Sequence, residues 1–214
     1  MKIFIAGGTG AIGRPLIAEL LAKGHALVAL TRSPEKAQAF VKQGIVPAIA
    51  DVFDSDAVKA VVSRAQPEIV IEQLTALPRT YTRESMSAAA VFNNRLRLEG
   101  GANMLAASQA AGVRRYLRQS IAFWAVPGPG LADEETPLAF DASPAVAADA
   151  RVVTELARAS FTGKSQHRRD RRALWLLLWT RHLVQPRRRC CPTGATATVP
   201  DRREWRRRLV VVTH

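Results

Sequence analysis

Three glycines at a fixed spacing are the residues best placed to organise chemistry in this chain. Gly7, Gly10 and Gly13 form G-x-x-G-x-x-G directly after the apolar run KIFIA (2–6) and at the head of a segment with helical periodicity. Such a turn needs backbone conformations and close approaches that a Cβ would obstruct. The helix it opens offers free N–H groups and the positive end of its dipole to an anion. Strand, turn and helix in that order make a cradle for the pyrophosphate of a dinucleotide. A tight turn with no ligand is the plainer alternative, and the agreement of all three elements favours the ligand.

Arg32 bears on which dinucleotide. In such folds an acidic residue at the end of the second strand bonds the ribose 2′-hydroxyl of NAD, whereas an arginine accommodates the 2′-phosphate of NADP. The second apolar run, HALVALT (25–31), is followed by Arg32 and Ser33 with no acid in place. NADP is therefore the preferred cofactor and NAD the second choice, with Arg14 adding to the bias. A solvated surface arginine is the competing reading of Arg32.

The elements that must position these residues alternate along the chain. Apolar residues recur at Ile12, Leu16, Ile17, Leu20 and Leu21, which predicts a helix from Ala11 to Lys23 that Gly24 ends. Further strands are expected at 25–31, 46–51, 68–74 and 114–121. Helices are expected at 35–44, at 54–65 behind a capping Asp54, and over a long stretch from about Glu84 to Ala111. Strands alternating with helices mean βαβ crossovers and a parallel sheet, so the fold class is α/β and doubly wound.

Charge divides the chain. Residues 1–163 carry 17 Lys+Arg against 15 Asp+Glu, and residues 164–214 carry 14 against 3. No apolar run approaches the roughly 20 residues that cross a bilayer. No secretory signal is read at the N-terminus, and the adjacent Cys190 and Cys191 suit neither a structural disulfide nor a zinc site. A cytoplasmic setting, no membrane and no metal are expected.

The segments GGTGAIGR, Asp51-Val52, NNRLRLEGGANMLAASQAAGVRRYLRQS and LADEETPL together resemble the NAD-dependent epimerase/dehydratase family, the extended short-chain dehydrogenase-like proteins. The resemblance covers residues 1 to about 163. It implies a Rossmann sheet, a nicotinamide dinucleotide, and oxidoreductase or epimerase chemistry on a small hydroxylated or sugar-like substrate. By that resemblance Gly7, Thr9, Gly10, Ala11, Ile12 and Gly13 form the phosphate loop. Asp51 and Val52 match the adenine-side contacts, and Leu74, Thr75 and Ala76 the segment beneath the nicotinamide ribose. Asn94 matches the family's helix asparagine, and the long helix resembles a surface on which members dimerise. Arg95 and Arg97 on that helix are expected to be exposed.

At the catalytic positions the match fails in part. Ser120 takes the place of the hydroxyl that polarises the substrate oxygen, unless it is an ordinary strand-end serine. The family's Tyr-x-x-x-Lys pair, which supplies the general acid and base, falls on Ala147 and Arg151. Alanine cannot shuttle a proton. The only tyrosines, Tyr81 and Tyr116, are followed four residues on by Ser85 and Ser120, so the motif is absent.

The arginine-rich tail, 164–214, admits three readings. Arginines interleaved with tryptophan suit nucleic acid, and a basic amphipathic element suits an anionic membrane. The reading preferred here is a change of reading frame near residues 163–167. Tryptophan is always TGG, so a frame read one base late turns Trp175, Trp179 and Trp205 into glycines whatever follows. The stretch ALWLLLWTRHLVQ can then spell RYGFFYGPGTWF, which resembles what the family places after its sixth strand. On this reading residues 1–163 form the dinucleotide-binding domain, the last strands of the sheet are lacking, and the tail is poorly ordered. Three function classes follow: an oxidoreductase or epimerase, a non-catalytic NADP sensor, and, least favoured, a nucleic-acid-binding protein.

Overall fold

The computed structural model describes residues 1–78, 80–119, 125–126 and 136–161. All of them lie in the first of two units, Met1–Thr180. Ser120, the LADEE part of LADEETPL and the whole tail lie outside the described residues.

The chain runs β1 (Lys2–Ala6), α1 (Gly13–Ala22), β2 (Ala26–Thr31), α2 (Pro34–Val41), β3 (Val46–Ile49), α3 (Ser55–Ala65) and β4 (Ile69–Glu72). It continues through α4 (Arg83–Arg95), a five-residue π-turn (Leu96–Gly100), α5 (Gly101–Ala110), β5 (Arg115–Arg118) and α6 (Pro144–Phe161). All strand pairs are parallel and the order is β3-β2-β1-β4-β5. The α/β doubly wound fold expected from the alternation is thus the fold observed.

The central strands β1, β2 and β4 are apolar on both faces along most of their length because helices cover both faces. Alternate residues sort cleanly. Ile3, Ile5, Leu27, Ala29, Ile69 and Ile71 pack with Ile17 of α1 and Phe40 of α2. Their neighbours Phe4, Ala6, Val28, Leu30 and Val70 pack with Val58 and Val62 of α3, Leu96 of the π-turn, and Met104 and Ala107 of α5. A slip of one residue in any central strand would exchange the two sets, so this alternation sets the register.

Local signals place the helix ends. The Asp54 carboxylate accepts from the backbone N–H groups of Asp56 and Ala57 at 3.1 and 2.9 Å and so caps α3. Ser33 caps α2, with Pro34 at its first position. Three expectations shift. Helix α1 starts at Gly13 rather than Ala11, because Gly10 to Ile12 are spent in the turn. The long helix is not uniform: the π-turn interrupts it between α4 and α5. That turn leaves Arg97 half-buried, where exposure was expected, and burial lowers its pKa against the opposing fields of Asp149 and Glu72. Arg95 is exposed as expected.

Replacing Asp54 by alanine leaves two N–H groups of α3 without their acceptor. Thermal unfolding of D54A is expected to show a loss of about 1 kcal/mol. An unchanged midpoint would mean that water replaces the cap without cost.

Candidate functional site

The sheet order reverses between β1 and β4. The chain leaves β1 for α1 on one face of the sheet and leaves β4 for α4 and α5 on the other. These two departures make the carboxyl ends of β1 and β4 the topological switch point of the sheet, the crevice position at which open α/β sheets bind ligands.

The glycine turn forms one wall. Gly7 has φ +90°, and a Cβ there would stand 2.3 Å from the carbonyl oxygen of Gln73. A Cβ on Gly13 would stand 2.3 Å from the Gly7 carbonyl oxygen and 2.7 Å from the Gly8 Cα. The turn therefore folds against its own backbone and against the end of β4, leaving no room for side chains. The Gly10 N–H donates to the Gly7 carbonyl at 3.1 Å, and the Arg14 N–H to the Gly10 carbonyl at 3.1 Å. No side chain caps α1 and no acid lies in its first turn. A diphosphate fits such a cradle, since its charge complements the uncapped helix end. The exposed Arg14 reaches back along the turn: its Nε donates to the Thr9 carbonyl at 3.0 Å, bracing the loop.

Arg32 stands exposed just past β2. No acid pairs with it among the described residues. The nearby Glu35 carboxylate accepts the Ser33 hydroxyl at 2.5 Å, and that bond lowers its pKa. After β3, the exposed Asp51 accepts the Phe53 N–H at 3.0 Å through Oδ1. The buried Val52 is tied to α5 by Asn103, whose Nδ2 donates to the Val52 carbonyl at 3.0 Å. Arg95 lies 4.1 Å over the Phe53 ring and pairs with Glu99 at 2.7 Å.

The opposite wall is the segment after β4. The Gln73 N–H donates to the Ala6 carbonyl at 2.8 Å and extends the β1–β4 ladder to the crevice. Leu74 and Ala76 are half-buried and Thr75 is exposed. Asn93 holds this segment from α4: its Oδ1 accepts the Ala76 N–H at 2.7 Å, and its Nδ2 donates to the Ala76 carbonyl at 3.1 Å. The sequence reading singled out Asn94, which is only half-buried, and missed Asn93, which is buried. The two are neighbours on one helix and point about 100° apart, so only the rotational phase of α4 distinguishes them.

Ser120 lies outside the described residues. Ala147 is buried on α6, with 5 % of its surface exposed, and Arg151 is exposed. Of the two tyrosines, Tyr81 is exposed, and Tyr116 donates its hydroxyl to Glu72 on the face of the sheet covered by α5. Among the described residues no cluster of His, Cys, Asp and Glu could hold a metal, and no helix is long and apolar enough to cross a membrane.

Two glycine substitutions separate the fold of this turn from its capacity to bind. A Cβ at Gly10 meets only the Gly7 carbonyl, at 3.4 Å, so G10A is expected to melt like the unaltered chain. It should nevertheless bind dinucleotide roughly tenfold more weakly, because the added methyl group stands where a phosphate must approach the main chain. G13A has no such space and is expected to lose about 1–3 kcal/mol of stability. Equal melting of both variants, followed calorimetrically, would contradict this geometry.

Residues 7–160 match the NAD(P)H-binding family. The chain is 44% identical over 160 residues to a 3-diazoavenalumate denitrifying reductase from a Streptomyces species, covering 74% of this chain and 51% of that one. The crystal structure of UDP-glucose 4-epimerase from Thermus thermophilus in complex with NAD superposes with a TM-score of 0.59 at 25% identity, over 74% of this chain and 50% of the epimerase. The UDP-Glc/GlcNAc 4-epimerase of Campylobacter jejuni shares the fold, with a TM-score of 0.60 at 19% identity over 74% and 48% of the two chains. The chain thus spans about half the length of these relatives. With the sheet order and the glycine cradle, these matches establish that the chain belongs to the NAD(P)H-binding family of Rossmann-fold proteins.

Proposed function

We propose that the crevice between β1 and β4 binds NADP(H), with Arg32 at the 2′-phosphate, and that it serves reduction of an electron-poor acceptor without a tyrosine as proton donor. The observation that supports this reading is the absence of any Tyr-x-x-x-Lys pair from the sequence, its tyrosine position falling by resemblance on Ala147, which is buried on α6. The chain's own tyrosines do not supply the phenol, since Tyr81 is exposed and Tyr116 is committed to Glu72.

Reducing or epimerising a hydroxylated carbon requires a proton to move on or off oxygen, which the Tyr-x-x-x-Lys pair performs. When bound, the nicotinamide supplies hydride. A diazonium group that accepts a hydride at carbon releases its nitrogen as N2 together with the bonding electron pair, and the charges balance with no proton from the protein. The name of the Streptomyces relative describes a reductase of a diazo compound. An acceptor of that class reconciles a reductase site with the missing tyrosine.

The same proposal assigns residues 1–163 to the cofactor and treats 164–214 as translated out of frame. The charge change after Gly163, the glycines forced at Trp175 and Trp179, and a family match that ends at residue 160 support it. On this reading the residues that would select a substrate are written out of frame, and those assigned to the cofactor are not. NADP(H) binding without turnover is therefore expected here, and turnover is expected of the restored frame.

Calorimetric titration of the full chain should show NADPH binding tighter than NADH. R32A should remove roughly tenfold to a hundredfold of that preference, the range for a charge-assisted hydrogen bond to phosphate. No thermal stabilisation by either coenzyme would end the proposal. Sequencing the gene across codons 160–170 tests the tail, and a continuous frame there would refute that part alone.

A further inference from the structure

At the ends of β4 and β5, on the face covered by α5, a charged cluster is buried that neither the phosphate cradle nor the missing acid requires. Glu72 and Arg118 are direct partners across the two strands. The Glu72 side chain is 2% exposed and that of Arg118 is 12% exposed. Arg118 Nε donates to Glu72 Oε2 at 2.8 Å, and the Tyr116 hydroxyl donates to the same oxygen. A second guanidinium nitrogen, Nη2, donates to the Gly101 carbonyl at 2.7 Å, joining both strands to the first residue of α5. Gly101 admits it: a Cβ there would stand 2.8 Å from Nη2.

Stability alone does not account for this cluster. A buried ion pair forfeits so much hydration that apolar residues of similar volume commonly serve as well or better. What it adds is direction. Hydrogen bonds to a single carboxylate oxygen restrict the rotation and axial position of the strand ends in a way that apolar contact does not. Those ends matter because Glu72 directly precedes the crevice segment Gln73 to Ala76, and Arg118 lies two residues before Ser120.

We infer that Glu72, Tyr116 and Arg118 are positioning residues for the nicotinamide half of the cofactor, fixing the end of β4 against the end of β5 and so the direction in which the segment Gln73 to Ala76 leaves the sheet. The inference rests on the proposal that the crevice binds NADP(H). Its own content is the part given to the buried Glu72–Tyr116–Arg118 cluster, which acts on the nicotinamide end and not on the adenosine and phosphates.

The test uses the full chain and two probes, NADPH and adenosine 2′,5′-bisphosphate, the second lacking the nicotinamide half. The variant Glu72→Met, Tyr116→Phe, Arg118→Met removes the carboxylate together with both of its donors. It is expected to melt at or above the temperature of the unaltered chain. It should bind NADPH roughly tenfold more weakly and the bisphosphate within about twofold of the unaltered chain. If the triple variant does not fold, the ratio of the two affinities in Y116F, a smaller change, is expected to move in the same direction. Equal losses for both probes, or no loss for either, would overturn the inference. An unaltered chain that binds neither probe would overturn the cofactor proposal first and this inference with it, an outcome visible before any substitution is made.

Discussion

The crevice depends on how closely the backbone of the first turn approaches the backbone at the end of β4. Gly7 and Gly13 stand so near the carbonyls of Gln73 and Gly7 that a single methyl group at either would overlap them. That closeness brings the start of α1 up to the sheet, with its N–H groups uncapped and no acidic side chain in its first turn. A helix end in that state favours an anion, so the steric requirement of the turn and the electrostatic preference of the site share one cause. The pairing of β1 with β4 is equally necessary, because it holds the Gln73 carbonyl where the turn must pass.

Around this contact the molecule uses two different kinds of restraint. The strands are registered by apolar alternation, with isoleucines on the α1 side and a mixed aliphatic set on the α3 side. Such packing is strong in sum and indifferent to small displacements of any one residue. The crevice segments are held by polar contacts of defined direction: Asn93 on both backbone groups of Ala76, Asn103 on the Val52 carbonyl, and Arg118 on Glu72 and Gly101. Each of these ties a strand end to the helical rod of α4 and α5. The π-turn lies in the middle of that rod, between Asn93 and Gly101, and π-turns within helices often mark functional sites.

The Tyr-x-x-x-Lys pair that manages protons in epimerase-type sites is absent from the sequence, and Ala147, on which the resemblance puts its tyrosine, is buried on α6. The phenol of half-buried Tyr116 is held against a carboxylate, and desolvation with the neighbouring charge of Glu72 raises its pKa well above the ordinary tyrosine value. It therefore stays a hydrogen-bond donor and takes a structural part.

From the sequence by itself came the α/β class, the glycine turn, the Asp54 cap, the missing tyrosine and the change in charge after Gly163. All of these reside in local spacing, composition or chain order, because helices and strands differ in period and a glycine motif is contiguous. Tertiary structure alone decided that Asn93 and not Asn94 holds Ala76, that Arg97 is half-buried, and that Glu72 meets Arg118 across 46 residues. In the one-dimensional pattern Glu72 and Arg118 are merely charged residues in short strands. Only the parallel pairing of β4 with β5, and a helix broken by a π-turn above them, brings those charges together out of water. Helix phase and strand pairing are set by packing against distant parts of the chain, which no local window contains.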